Sequence, residues 1–261
     1  MSDQPALRPR PSGFDVWEGI VSRWLDGDDS LPEPFDCWRR SYPGRGAGAV
    51  DTAAIPEPYL GDPSSAIAVV LALNPGRVYP RFQHRGGVFD AEVREMGSYA
   101  AWAATWAFVR PPWTDEIPAV QHTLSRLAFI GRWYDEPNLP IARMLAVELY
   151  PWHSTRLTAA LRPDPGIVQE FIWEPIAASG ARDVFAFGSD WFPLLTNHLG
   201  LAVVDRLGAG GRDYGPRAKT RSVMVAEAPS GVRVVAMKHS GSAGPPASDE
   251  TLRLRDAING R

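Results

Sequence analysis

One cysteine in 261 residues, Cys37, leaves no partner for an internal disulfide, no ligands for a cysteine-bound zinc and no set for a four-cysteine iron–sulfur cluster. Long apolar runs are also missing, since the greasiest stretch, "YAAWAATWAFV", is too short to cross a bilayer. The opening "MSDQPALRPRPSG" lacks the apolar core of a secretory signal. Excess positive charge is absent too: the net charge is −3, so any contact with nucleic acid must use local basic patches. These absences predict a cytoplasmic protein without a membrane partner. His84, His122 and His198 have no ligand spacing, and neither a metal nor an organic cofactor is implied.

What is present fits a globular chain, with 44% hydrophobic and 22% charged residues. Ten tryptophans supply core volume, and 24 glycines with 25 prolines imply long irregular connections. Residues 1–12 read as a flexible tail, and 13–261 as a single domain. "FDVWEGIVSRWL" puts Val16/Trp17, Ile20/Val21 and Trp24/Leu25 one turn apart, an N-terminal helical extension. "SAIAVVLAL" (65–73) is apolar on both faces, as a central parallel strand must be. Helices are expected from about Asp90 to Val109 and near Ala119–Arg132, then a strand at "RMLAVELY" (143–150). "GIVQEFIWEPIAAS" reads as a helix, "DVFAFGSD" as a strand and "WFPLLTNHL" as a helix. "LAVVDRL", "RSVMVAE" and "VRVVAM" are strands, the last two joined by the turn "APSG", and Ser248 opens a final helix. Strands alternating with helices predict a three-layer α/β/α fold on a central, mainly parallel four-stranded sheet.

Ligands of such sheets bind beyond the carboxyl ends of the strands. Four strands here run into "NPGR", "ELYPWHS", "FGSD" and "MKHSGSAG", collecting Asn74, Glu148, His153, Ser189, Lys238 and His239 on one edge. Two basic loops accompany them. "RVYPRFQHR" carries Arg77, Arg81 and Arg85 without an acid, and "RLGAGGRDYGPRAKTR" (206–221) includes Arg212, Arg217 and Lys219 beside glycines whose N–H groups can approach phosphate. Arginine next to Tyr79, Phe82 and Tyr214 suits a nucleic-acid backbone with splayed bases.

These residues resemble the uracil-DNA glycosylase superfamily, over roughly residues 56–245. Its first motif follows strand one and, in the mismatch-specific branch, reads Asn-Pro-Gly, as Asn74-Pro75-Gly76 does here. "PEPYLGDPSSAIAVVLALNPG" looks like that branch, and "DVFAFGSDWFPLL" looks like the family's third strand and following helix. The second motif, His-Pro-Ser and a short insertion loop, has its counterpart in "KHSGSAG", which keeps His239 and Ser240 but lacks the proline.

The resemblance implies hydrolysis of the N-glycosidic bond of a nucleotide rotated out of DNA. Asn74 would orient water and His239 would donate to the pyrimidine O2, the two facing each other across one slot. Pro75 and Gly76 would shape the pocket and leave the C5 side of the base open. Phe89 would stack on the base, and Arg81, Arg85, Arg212, Arg217, Lys219, Lys238, Gly241 and Ser242 would contact DNA. Glu148 stands where the family carries a base-reading asparagine. Ionised, it only accepts, which suits the N4 amino group of cytosine; the structural alternative is an ion pair with Arg143 or Arg156, or a strand-end carboxylate in solvent. A C5-modified cytosine follows, such as the glucosylated hydroxymethylcytosine of phage DNA, with Arg77, Arg81, Trp152 and His153 around a sugar-accepting annex. Three alternatives stay open: repair of uracil or mismatched thymine, a hydrolase using Ser189 or Ser240 with His239, and a non-catalytic reader of modified DNA.

Overall fold

Continuous burial along the central strands builds the architecture, because 68–72, 144–148 and 183–187 hide both of their faces. The computed structural model describes residues 12–42, 44–117, 120–155, 164–188, 191–228, 230–239 and 244–260. The expected tail lies outside these residues apart from Ser12, which opens the first helix. Seven strands form one mixed sheet: β1 (Tyr59–Leu60), β2 (Ala68–Ala72), β3 (Met144–Glu148), β4 (Asp183–Phe187), β5 (Ala202–Gly208), β6 (Arg221–Glu227) and β7 (Arg233–His239). Their order is β1-β3-β2-β4-β7-β6-β5.

The expectation of four strands is corrected to seven. β3, β2, β4 and β7 are parallel neighbours, while β1 adds antiparallel to β3, and β6 and β5 follow antiparallel beyond β7. The reason is connection length. β6 and β7 are joined by a tight turn in which Ala228 N–H donates to Val232 O at 3.0 Å, so they can only pair antiparallel. β1 is two residues long and carries almost no periodicity to read.

The helices are α1 (Ser12–Leu25), α2 (Phe35–Arg40), α3 (Pro80–Gln83), α4 (Val88–Met96), α5 (Tyr99–Ala104), α6 (Trp113–Glu116), α7 (Val120–Trp133), α8 (Pro165–Val168), α9 (Glu174–Ala178), α10 (Trp191–Pro193) and α11 (Ser248–Ile258). Wider π turns, Gln169–Trp173 and Leu194–His198, extend α8 and α10. The helix expected over 90–109 is broken instead. Gly97, at φ +77°, closes α4 with its N–H on Val93 O, and Ser98 Oγ accepts the Ala101 N–H at 3.0 Å to start α5.

Helices cover both faces of the sheet. On one, Val69, Leu71, Leu145, Val147, Val184 and Ala186 pack beneath aromatic side chains that include Phe14 and Trp17 of α1, Phe89 of α4 and Trp102 of α5. On the other, Val70, Ala146, Phe185, Phe187, Val235 and Met237 meet Phe129, Ile130 and Trp133 of α7 and Leu254 of α11. Phe129 stands edge-on to Phe185 with centroids 5.0 Å apart. The cleft described next opens on the α7 face of the sheet.

Candidate active site

A cleft of about 680 Å³ opens at the carboxyl ends of β2 and β3, on the α7 side of the sheet. Val70 of β2 and Met144 and Ala146 of β3 form its apolar floor. Ladder bonding continues past β2, with Tyr150 N–H donating to Leu73 O at 2.9 Å, so Asn74 is the first residue beyond the paired backbone. Ala72 pairs with Glu148, and even-numbered positions of both strands face α7. Asn74 and Glu148 therefore reach the cleft from adjacent strands on one face.

The Asn74 amide is held. Its Nδ2 donates to Ser154 O at 2.9 Å, which leaves Oδ1 with no protein donor among the described residues. Ser154 is itself anchored, its Oγ donating to Gly48 O at 2.9 Å. Gly76 has φ +85°, and a Cβ there would meet no atom within 4 Å. Glycine is thus required by backbone conformation and not by protein crowding.

Behind this turn lies a polar cluster that the motifs did not reveal. Glu57 and Gln83 are almost completely buried; Gln83 Nε2 donates to Glu57 Oε1 at 2.7 Å, and Gln83 Oε1 accepts the Tyr79 N–H at 2.8 Å. His153 has no exposed surface. Its Nδ1 lies 3.3 Å from Gly76 O, and its Nε2 lies 3.3 Å from Glu57 Oε1 without hydrogen-bond alignment. Burial pushes the Glu148 carboxyl up to about 7, the Glu57 charge adds to that rise, and Arg126 and His153 oppose it. Glu148 Oε2 is shielded from solvent and has no hydrogen-bond partner. Arg126 enters from α7 beside His122 and Thr123, and its own burial lowers its pKa against the opposing pull of Glu148. Tyr79, Trp106 and Phe108 supply aromatic wall.

Several expected site residues stand elsewhere. Phe89 is fully buried on the opposite face, 4.4 Å centroid to centroid from Trp102, so no base can stack on it; helix α4 turned its aromatic inward to complete the core. Trp152 is buried against Trp38 and Tyr150 and is not among the residues lining the cleft. His153 sits behind Gly76 with no surface open to a ligand. Arg85 straps α1, its Nε donating to Trp24 O at 2.8 Å and its head pairing with Asp29, and is not a free phosphate contact. Arg81 pairs with Glu116, and Arg212 pairs with Asp205 at 2.5 Å. Glu148 makes no ion pair with Arg143 among the described residues; of the groups that lower its pKa, Arg126 acts most strongly.

Pro75, Gly76 and Arg77 line the cleft, and Lys238, Arg217 and Lys219 are exposed. The basic 206–221 loop lies on the same sheet edge, because Arg221 of β6 pairs with His239 of β7. That is three strand spacings from β2, roughly 14 Å. The backbone of His239 closes β7 on that edge, but its side chain, Arg156, Ser189, Ser240, Gly241 and Ser242 lie outside the described residues. Gly244 reaches the cleft, held by Arg221, whose Nη1 donates to Gly244 O at 3.3 Å while its Nε donates to the buried Glu250 at 3.0 Å.

Sequence signals for the missed residues were faint. Glu57 is an acid between two prolines in "IPEPYL", Gln83 sits in a basic loop, and Arg126 looks like any solvated helix arginine. No helix among the described residues is long and apolar enough to cross a membrane, and no group of three or more His, Cys, Asp or Glu side chains there could hold a metal. No protein-family model matches the chain, and no curated protein matches it in sequence.

Proposed function

We propose that the cleft receives a nucleobase rotated out of DNA and that this protein hydrolyses the base's N-glycosidic bond, leaving an abasic site. The observation that carries the reading is the placement of Asn74 and Glu148 side by side at the ends of parallel strands, over an apolar floor and beside aromatic side chains. An extruded base needs stacking surface and polar groups for its edge. Tyr79 and Phe108 take the stacking role that Phe89 cannot fill.

The Asn74 Oδ1, freed by the bond from Nδ2 to Ser154, accepts a hydrogen bond from the attacking water. As the bond between the sugar C1′ and the base nitrogen breaks, water adds to C1′ and gives up its proton to solvent, and the electron pair leaves with the base. By the family resemblance, His239 stabilises that anionic base through the pyrimidine O2. Ionised Glu148 accepts from an exocyclic amine and disfavours a carbonyl in the same place. The cleft corresponds to about twenty water volumes at roughly 30 Å³ each, ample space for a pyrimidine with a large C5 substituent. The favoured substrate is therefore a C5-modified cytosine such as glucosylated hydroxymethylcytosine in phage DNA, ahead of uracil or mismatched thymine.

The test incubates the protein with oligonucleotides carrying uracil, mismatched thymine, hydroxymethylcytosine or its glucoside, followed by alkali. Breaks at the modified cytosine are expected, and Asn74→Ala is expected to bind DNA while losing at least a hundredfold in cleavage. No breaks with any base, together with tight binding to modified DNA, would refute hydrolysis and leave a reader of modified bases. That second reading is favoured by the amide at position 74, a weaker activator of water than a carboxylate.

A further inference from the structure

Two polar groups in the cleft lack a protein partner, and they carry opposite charge. Glu148 Oε2 is shielded from solvent and accepts no hydrogen bond. Arg126 lines the same cleft from α7, and among the described residues it makes no hydrogen bond and no ion pair within 4 Å. Each feels the other's charge, yet they do not close into a salt bridge. A carboxylate and a guanidinium desolvated together normally pair, since neither is otherwise compensated. Lining one cavity without pairing, they describe the ligand that would satisfy both.

We propose that Arg126 and Glu148 read one edge of the bound base together, Glu148 accepting from an exocyclic amine and Arg126 donating to the ring acceptors beside it. The inference rests on the glycosylase reading and names its substrate class, bases with the cytosine edge. Cytosine offers the N4 amine followed by N3 and O2 acceptors, in the donor–acceptor order that this pair complements. Uracil and thymine offer O4 and then N3–H, which set an acceptor against the carboxylate and a donor against the guanidinium. Arginine has no acceptor and ionised glutamate no donor, so neither group can adapt while Glu148 is charged.

The surroundings leave Glu148 as the acceptor. The nearby carboxylate, Glu57, is already bonded to Gln83 at 2.7 Å, and His153 is enclosed between Glu57 and Gly76. Glu57, His153 and Arg126 are the charged or titratable groups that act on Glu148. Because the carboxylate form is required, preference for cytosine-type bases rises with pH as Glu148 ionises.

The experiment measures binding by fluorescence anisotropy and excision by alkali in parallel. Duplexes differ only in one mismatched base: cytosine, hydroxymethylcytosine or uracil. The proteins compared are the parent, Glu148→Gln, Arg126→Gln and Arg126→Lys. The parent is expected to prefer the two cytosine-type bases over uracil by roughly 5- to 150-fold, the range of one good bidentate pair. Arg126→Gln should erase most of that preference, and Glu148→Gln should also abolish its pH dependence. Arg126→Lys keeps the charge but loses the fork, so it should keep the parent's thermal stability and still lose preference. An unchanged preference in a folded Arg126 variant, or a parent that does not distinguish the bases, overturns the proposal. Base preference that depends on Arg126 without any excision would sink the glycosylase reading alone and leave the paired reader standing.

Discussion

Replacing Glu148 with glutamine isolates the cost of its burial, because the amide nearly matches the carboxylate in shape and cannot ionise. In an unfolded chain the group ionises near 4.5, and in the folded protein it ionises at about 7. At about 1.4 kcal/mol for each tenfold change in an acidity constant, the difference is worth about 3 kcal/mol. The sign follows from proton binding. Between pH 4.5 and 7 the folded protein holds this proton more tightly than the unfolded chain, so its contribution to stability falls as pH rises through that window. Below pH 4.5 the carboxyl is neutral in both states and the parent resembles the variant. At pH 8 Glu148→Gln should be the more stable protein, by up to about 3 kcal/mol, a figure already net of the attraction to Arg126. For a chain of this size that gain raises Tm by on the order of 5–10 °C. Thermal melts of both proteins at pH 4 and pH 8 make the comparison. A Tm gap that is the same at both pH values would refute the burial argument, and with it the account of a carboxylate left uncompensated in the cleft.

Two further perturbations separate packing from function. Phe89→Ala should cost about 3–5 kcal/mol of stability and leave base preference unchanged, measured by denaturant unfolding and by the excision panel; a selective loss of base binding in a stable variant would return Phe89 to the site. Gly76→Ala, at φ +85°, should cost about 1–2 kcal/mol while its methyl projects into open space, so calorimetry should register strain and no clash.

Much of the scaffold was legible because it depends on local pattern. The apolar runs at 68–72, 144–148 and 183–187 became buried parallel strands, since a strand covered on both faces cannot alternate with polar residues. Asn74 and Glu148 came to one cleft because residues at the carboxyl ends of parallel neighbours must share an edge. The break at Gly97–Ser98 was also written in the residues, a C-terminal glycine followed by a capping serine, but the continuing apolar stretch masked it.

By itself, the sequence determined the parallel strands, the turn after β2 and the carboxylate that ends β3, for each follows from residue type and short spacing. Only the tertiary structure decided which aromatics are core and which are wall. Phe89 and Phe108 look alike in sequence, yet one helix turns inward to seal the α1 side while the other residue borders the cleft. It also decided which cation faces Glu148. Arg126 is reached through the packing of Phe129 and Trp133 on Phe185, contacts between segments more than fifty residues apart in the chain, and a side chain's electrostatic partner is set by that distance in space.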